Sequence, residues 1–150
     1  MPESAIRNRI TEATTSAMRA RARDRLAVLR LLNAELKRVE VDERRELDDQ
    51  DVLVVLNRML KQRQDALAQY EAAARGDLAE AERFEIEVLE EFMPEPLDEA
   101  ELDGLIAGAI KAVGAASPRD MGKVMGILKP KVQGRADMSV VSAKVKSKLG

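Results

Sequence analysis

The sequence predicts an all-α, multihelical protein with an N-terminal four-helix bundle and a smaller C-terminal three-helix subdomain. Three observations carry this prediction. Aromatic residues are 2% of the 150 residues, with two Phe, one Tyr and no Trp, so the 45% hydrophobic fraction rests on Leu, Val, Ile, Ala and Met, a set that suits helices better than strands. Apolar residues recur three and four positions apart in run after run, the spacing of one helix face. Asp24, Asp48, Asp77, Asp98, Ser117 and Asp137 stand at the head of such runs, where a short oxygen-bearing side chain satisfies the free N–H groups of a first turn.

The first helix is expected from about Ser4 to Arg19, with Ile6, Ile10, Ala13, Ala17 and Met18 on its apolar face. The run Arg19-Ala20-Arg21-Ala22-Arg23 is itself compatible with helix, so only Asp24 places the break. A second helix then runs from about Arg25 to Glu40, with Leu26, Leu29, Leu32, Leu36 and Val39 on a stripe and Asn33 beside it. After the polar connection from Val41 to Glu46, Asp48 caps a third helix, Leu47 staples onto Val52, and Asp51 meets the positive end of the helix dipole. This longest element turns Leu53, Leu56, Leu60, Leu67 and Tyr70 inward, carries Arg58, Lys61, Gln62, Arg63 and Gln64 on a polar face, and reaches about Arg75, with Gly76 closing it. Asp77 and Glu80 form a capping box for a fourth helix that turns Leu78, Ala81, Phe84, Val88, Leu89 and Phe92 inward and stops at Pro94. Glu85, Glu87, Glu90 and Glu91 are expected on its solvent side.

Met93-Pro94-Glu95-Pro96-Leu97 is the best domain boundary, because two prolines one residue apart impose an extended, semi-rigid connection. It divides residues 1–94 from residues 97–150. Asp98 and Glu101 then open a fifth helix, with Leu97 facing Leu102, that runs through Leu105, Ile106, Ala109, Ile110 and Val113 to Gly114. Ser117, Pro118 and Asp120 start a sixth, in which Met121, Val124, Met125 and Leu128 share one face, and Pro130 ends it or kinks its last turn. Gly134 supplies a left-handed turn, and Asp137 caps a final helix to about Leu149, with Val140, Val141 and Val145 as its apolar contacts.

Composition excludes several chemistries. With no Cys and no His, disulfides, thiol chemistry, histidine bases and histidine metal sites are all ruled out. No phosphate loop, dinucleotide fingerprint, nucleophile elbow or EF-hand loop occurs. Cofactors and metals are therefore not expected. No apolar run is long enough to span a bilayer and no signal-peptide pattern opens the chain, so a cytoplasmic, membrane-free protein is the expectation. The net charge of −2 conceals segregation. Residues 1–40 carry nine Lys/Arg against five Asp/Glu, residues 76–103 one against twelve, and residues 104–150 nine against two.

The stretch from Ser117 to Asp137 holds the candidate site. Gly122 and Gly126 lie four apart beside the apolar stripe, and each interior glycine costs roughly 1 kcal/mol relative to alanine. Such a pair suits close packing against a neighbouring helix or close approach of a ligand backbone. Lys123, Lys129, Lys131 and Arg135 are gathered around a helix end and a tight turn, an arrangement that suits anion contact or a solvated basic face.

The blocks Met-Gly-Lys-Val-Met-Gly from Met121 and Lys-Pro-Lys-Val-Gln-Gly-Arg-Ala-Asp from Lys129, with Arg44-Arg45-Glu46-Leu47 upstream, resemble the YqeY family of small bacterial proteins. That family is similar to the C-terminal region of GatB, a tRNA-dependent amidotransferase subunit. The resemblance covers essentially the whole chain, and it departs at Gln133, where a lysine is expected, and at Met138, where a glycine is expected. It implies a non-catalytic tRNA-binding or tRNA-enzyme accessory protein, with Lys123, Lys129, Lys131, Gly134 and Arg135 as the RNA contacts and Gly122, Gly126 and Asp137 as structural residues. Two alternatives stand beside it: participation in glutamine-dependent carbon–nitrogen ligase activity, for which no self-contained active site is visible, and a protein-interaction module with no RNA role. With so few aromatics, any RNA recognition is expected to work through shape and backbone rather than base stacking.

Overall fold

The structure, a computed structural model, describes residues 4–150 and contains seven α-helices, one short 3-10 turn and no strand among them. The protein is all-α. Its helices fall into two compact units, one up to Met93 and one from Pro94.

The first unit holds α1 (Ala5–Arg19), α2 (Arg23–Glu43), α3 (Asp49–Ala72) and α4 (Gly76–Glu90). Ser4 caps α1 by accepting the Arg7 N–H, and its hydroxyl donates to Asp49 at 2.6 Å, which ties the start of α1 to the start of α3. Asp48 caps α3 in a reciprocal box with Asp51, while Leu47 is buried as the expected staple. Ile10, Leu29, Leu32, Leu36, Val52, Leu56 and Leu89 are fully buried in one core, which draws on all four helices. Val28 and Val55 join it although neither lay on a predicted stripe. Asn33 donates to Thr14 Oγ1 and to the Leu29 carbonyl, each at 2.9 Å, so the polar group beside the α2 stripe links α2 to α1.

Two connections differ from expectation. The break between α1 and α2 is made not by Asp24, which lies inside the first turn of α2, but by Arg21 in the left-handed region at φ 56°. The Ala22 N–H reaches back to the Ala17 carbonyl at 3.0 Å there, closing the helix end through the backbone. Gly76 does not close α3. Ala74 does, at φ 56°, and Gly76 is the first residue of α4. Asp77 then sits in the first turn of α4 paired with Arg75, and no side chain caps that helix. Met18 and Phe84, expected inward, are 54% and 38% exposed.

The second unit holds α5 (Glu99–Val113), α6 (Met121–Val132) and α7 (Met138–Leu149), around a core of Leu102, Ile106, Val124, Leu128, Val132, Val141 and Val145. Asp98 caps α5 by accepting the Glu101 N–H at 2.7 Å, and Gly114 ends it at φ 63°. Val140, expected as an apolar contact, is 45% exposed. No helix among the described residues is long and apolar enough to cross a membrane.

Candidate nucleic-acid interface

Asp120 organises the entry to α6. Its carboxylate accepts the Ala116 N–H at 3.0 Å and the Ser117 N–H at 3.3 Å. The first of these contacts does most to hold it below the usual carboxylate range, with the Lys123 charge adding to the effect. The chain enters through a 3-10 turn, Pro118–Asp120, so Ser117 and Pro118 precede the α-helix proper instead of beginning it.

Val124, Leu128 and Val132 bury one side of α6. The other side carries Gly122, Gly126 and Lys129, which recur at four and three residues on one exposed stripe; at about 100° per residue Lys123 lies roughly a quarter turn from that stripe, and Lys131 roughly half a turn from it, on the far flank of the buried face. A methyl group at Gly122 or Gly126 meets no atom within 4 Å, so close packing within this chain is not what these glycines serve. Pro130 lies inside α6, which continues to Val132. A proline in a last turn removes one hydrogen bond, here the one that would reach the Gly126 carbonyl, and two further residues still propagate.

Beyond α6, Gly134 takes φ 77° and lets the chain fold back, with the Arg135 and Ala136 N–H groups both reaching the Val132 carbonyl. Asp137 then caps α7 by accepting the Ser139 N–H at 2.9 Å. Gly134 and Asp137 thus take the expected conformational roles. Arg135 does not face freely outward. Its guanidinium Nε donates to the Glu95 carbonyl at 3.0 Å, and its own carbonyl accepts the Leu97 N–H at 2.8 Å. It is half-buried, whereas Lys123, Lys129 and Lys131 are exposed and hold no ion pair among the described residues.

Lys144, on α7, is bound to Asp103 at 2.8 Å and Glu99 at 3.3 Å. The Asp103 hydrogen bond raises the lysine and correspondingly lowers the aspartate. Lys146 and Lys148 remain exposed.

In the first unit, the polar middle of α3 is partly tied inward: Arg58 pairs with Glu35, and Arg63 bridges Glu82 at 3.2 Å and Glu85 at 3.7 Å. Glu82 is 9% exposed, and its Oε2 has no hydrogen-bond partner among the described residues. Glu85 is not on the solvent side with Glu87 and Glu90; burial raises it above the usual carboxylate range. The Arg44-Arg45-Glu46-Leu47 block also has a local structural role, because Arg45 donates to both oxygens of Asp51, at 2.6 and 2.8 Å.

A family model described as Yqey-like protein matches residues 7–149. A Pyrenophora tritici-repentis protein named Altered inheritance of mitochondria protein 41, mitochondrial, is 26% identical over 152 residues, covering 99% of this chain and 83% of that protein. An uncharacterised Schizosaccharomyces pombe protein is 33% identical over 86 residues, covering 57% of this chain and 70% of that protein. Both the residues matched by the family model and the motifs around α6 lead to one assignment: the chain belongs to the Yqey-like protein family.

Proposed function

We propose that this chain is a non-catalytic tRNA-binding or tRNA-enzyme accessory protein that contacts the RNA backbone through α6. The observation that carries the reading is the outer stripe of that helix. Two glycines leave the backbone uncovered, Lys129 shares their stripe and Lys123 lies about a quarter turn away; neither these nor Lys131, farther round the helix, holds an ion pair among the described residues, in a chain that pairs many of its other charges. Open backbone next to exposed lysines suits phosphate contact, which needs charge and close approach but no base readout. The resemblance to the C-terminal region of GatB supports tRNA as the polyanion. The chain's near lack of aromatics points the same way, toward folded RNA and not unstacked single strands.

The test is fluorescence anisotropy of labelled unfractionated tRNA titrated with the whole chain at increasing salt. Wild type is expected to bind with a steep salt dependence. The variant carrying Lys123→Glu, Lys129→Glu and Lys131→Glu is expected to bind at least about tenfold more weakly and with a shallower slope. Arg135 is left out of that variant because it holds the 95–97 segment. Equal binding by wild type and variant, or no salt-sensitive binding by wild type, rejects the reading.

A further inference from the structure

Eight arginines of the first unit hold ion pairs, and among the described residues Arg19, Arg21, Arg23, Arg30, Lys37, Arg44 and Lys61 are exposed cations that hold none. Arg23, Arg30, Lys37 and Arg44 are all exposed, and among the described residues none of their side chains has an ion pair or a hydrogen bond. They are seven residues apart. Arg23, Arg30 and Lys37 lie within α2 and Arg44 is its C-cap. Seven residues make nearly two helical turns, so these cations share one stripe at intervals of about 10 Å, and the row from Arg23 to Lys37 is about 21 Å long. Most acids of α2 are already engaged, Glu35 and Asp42 by Arg38, Glu40 by Arg7 and Glu43 by Arg45, which leaves only Asp24, next to Arg23, without an ion pair among the described residues.

We infer that this face of α2 is a second phosphate-contacting surface, which tracks the backbone of a folded RNA. The inference rests on the RNA reading above but uses a different surface. A row of this length fits a polyanion, since no small anion bridges it. The residues between the cations are Ala27 and Ala34, small enough for a backbone to lie close, and the stripe has no aromatic to stack on a base. An anionic bilayer is the weaker match: an interfacial helix sets large apolar residues against its cations, and here Val41 is the stripe's one larger apolar member.

The experiment compares three whole-chain proteins: wild type, the α2 variant Arg23→Ala, Arg30→Ala, Lys37→Ala, and the α6 variant described above. Each is titrated with unfractionated tRNA between about 50 and about 200 mM salt, sedimented with phosphatidylserine-containing vesicles, and melted to check the fold. Alanine keeps the helix, so the α2 variant is expected to melt like wild type. It is expected to lose at least about tenfold in tRNA affinity, with the salt slope reduced by about 2 to 3. If it binds tRNA as wild type does while the α6 variant loses binding, this inference falls and the α6 reading stands. If only the α2 variant loses binding, the α6 assignment falls and the α2 surface stands. If wild type binds no tRNA, both fall, and an effect of the α2 variant on vesicle binding alone overturns the RNA assignment in favour of a membrane surface.

Discussion

The Arg135 guanidinium donates to the Glu95 carbonyl at 3.0 Å while the Arg135 carbonyl accepts the Leu97 N–H at 2.8 Å, so one residue holds the 95–97 segment at two points. An arginine expected to meet RNA is thereby committed to holding its own chain. Arg135→Ala is expected to cost about 1 kcal/mol, the net worth of one such hydrogen bond. Arg135→Lys is expected to lose about as much, since a lysine keeps the charge but not the planar fork. Urea denaturation of both variants measures this. Unchanged stability together with lost tRNA binding would return Arg135 to the interface.

A second prediction concerns acid. Hydrogen bonds from Arg45, and then the Asp48 N–H, hold the Asp51 carboxyl at about 2. An unfolded aspartate titrates near 3.9, so below that range the unfolded state binds the extra proton. The contribution of Asp51 is therefore fully present above about pH 4 and is lost as pH falls toward 2. Asp51→Asn is expected to lower the melting temperature at neutral pH, by roughly 1 kcal/mol in stability, and to narrow the gap from wild type as the buffer is acidified through that window. A gap that stays constant from neutral pH down to pH 2 would show that the Arg45 pair contributes nothing.

A third prediction follows from Ala74. It closes α3 in the left-handed region, with the Arg75 N–H reaching the Tyr70 carbonyl at 2.9 Å and the Ala74 N–H reaching the Glu71 carbonyl at 3.1 Å. A side chain in that region costs about 1 kcal/mol or more, and glycine removes the cost. Ala74→Gly is expected to stabilise the chain by roughly 0.5–1 kcal/mol in chemical denaturation. A loss of stability would mean that the α3–α4 connection does not hold this conformation.

That residue also shows where the sequence stopped being legible. The helices and most of their buried faces could be read from spacing, as with Leu29, Leu32 and Leu36 on α2 or Val124 and Leu128 on α6. The caps at Asp48, Asp98 and Asp137 were legible because a cap is a contact between near neighbours in sequence. Helix ends made by left-handed non-glycine residues left no such signal. Arg21, Arg44 and Ala74 are ordinary helix formers by propensity, and Gly76 drew the expected helix end two residues too far. Long-range partners were equally hidden. Arg135 and Glu95 are forty residues apart, so neither local spacing nor charge pattern linked them. Glu82 lay between Ala81 and Arg83 with nothing to mark it as a buried partner of Arg63. On the candidate interface, the lysines and the two glycines were legible as residues, but whether the glycines faced a neighbouring helix or open space depended on how α5, α6 and α7 pack.

The last prediction uses those glycines to separate stability from binding. Gly122 and Gly126 sit inside α6, exposed, with 4 Å of empty space where a side chain would begin. If they were there for internal packing, alanine would clash and the unit would loosen. With space available, alanine instead removes the entropic cost of glycine in a helix, so Gly122→Ala and Gly126→Ala are each expected to stabilise the chain by about 0.5–1 kcal/mol. If the open strip exists so that an RNA backbone can lie against it, the same methyl groups stand where the ligand must come. The double variant is then expected to melt higher than wild type and to bind tRNA at least about tenfold more weakly, with the salt slope little changed because no cation has been removed. Higher stability with wild-type binding would mean that the strip is merely uncovered and that the lysines act without it. Lower stability would mean that the two positions do have neighbours in solution, as in an assembly of several chains, and size-exclusion chromatography of wild type would then be expected to show one.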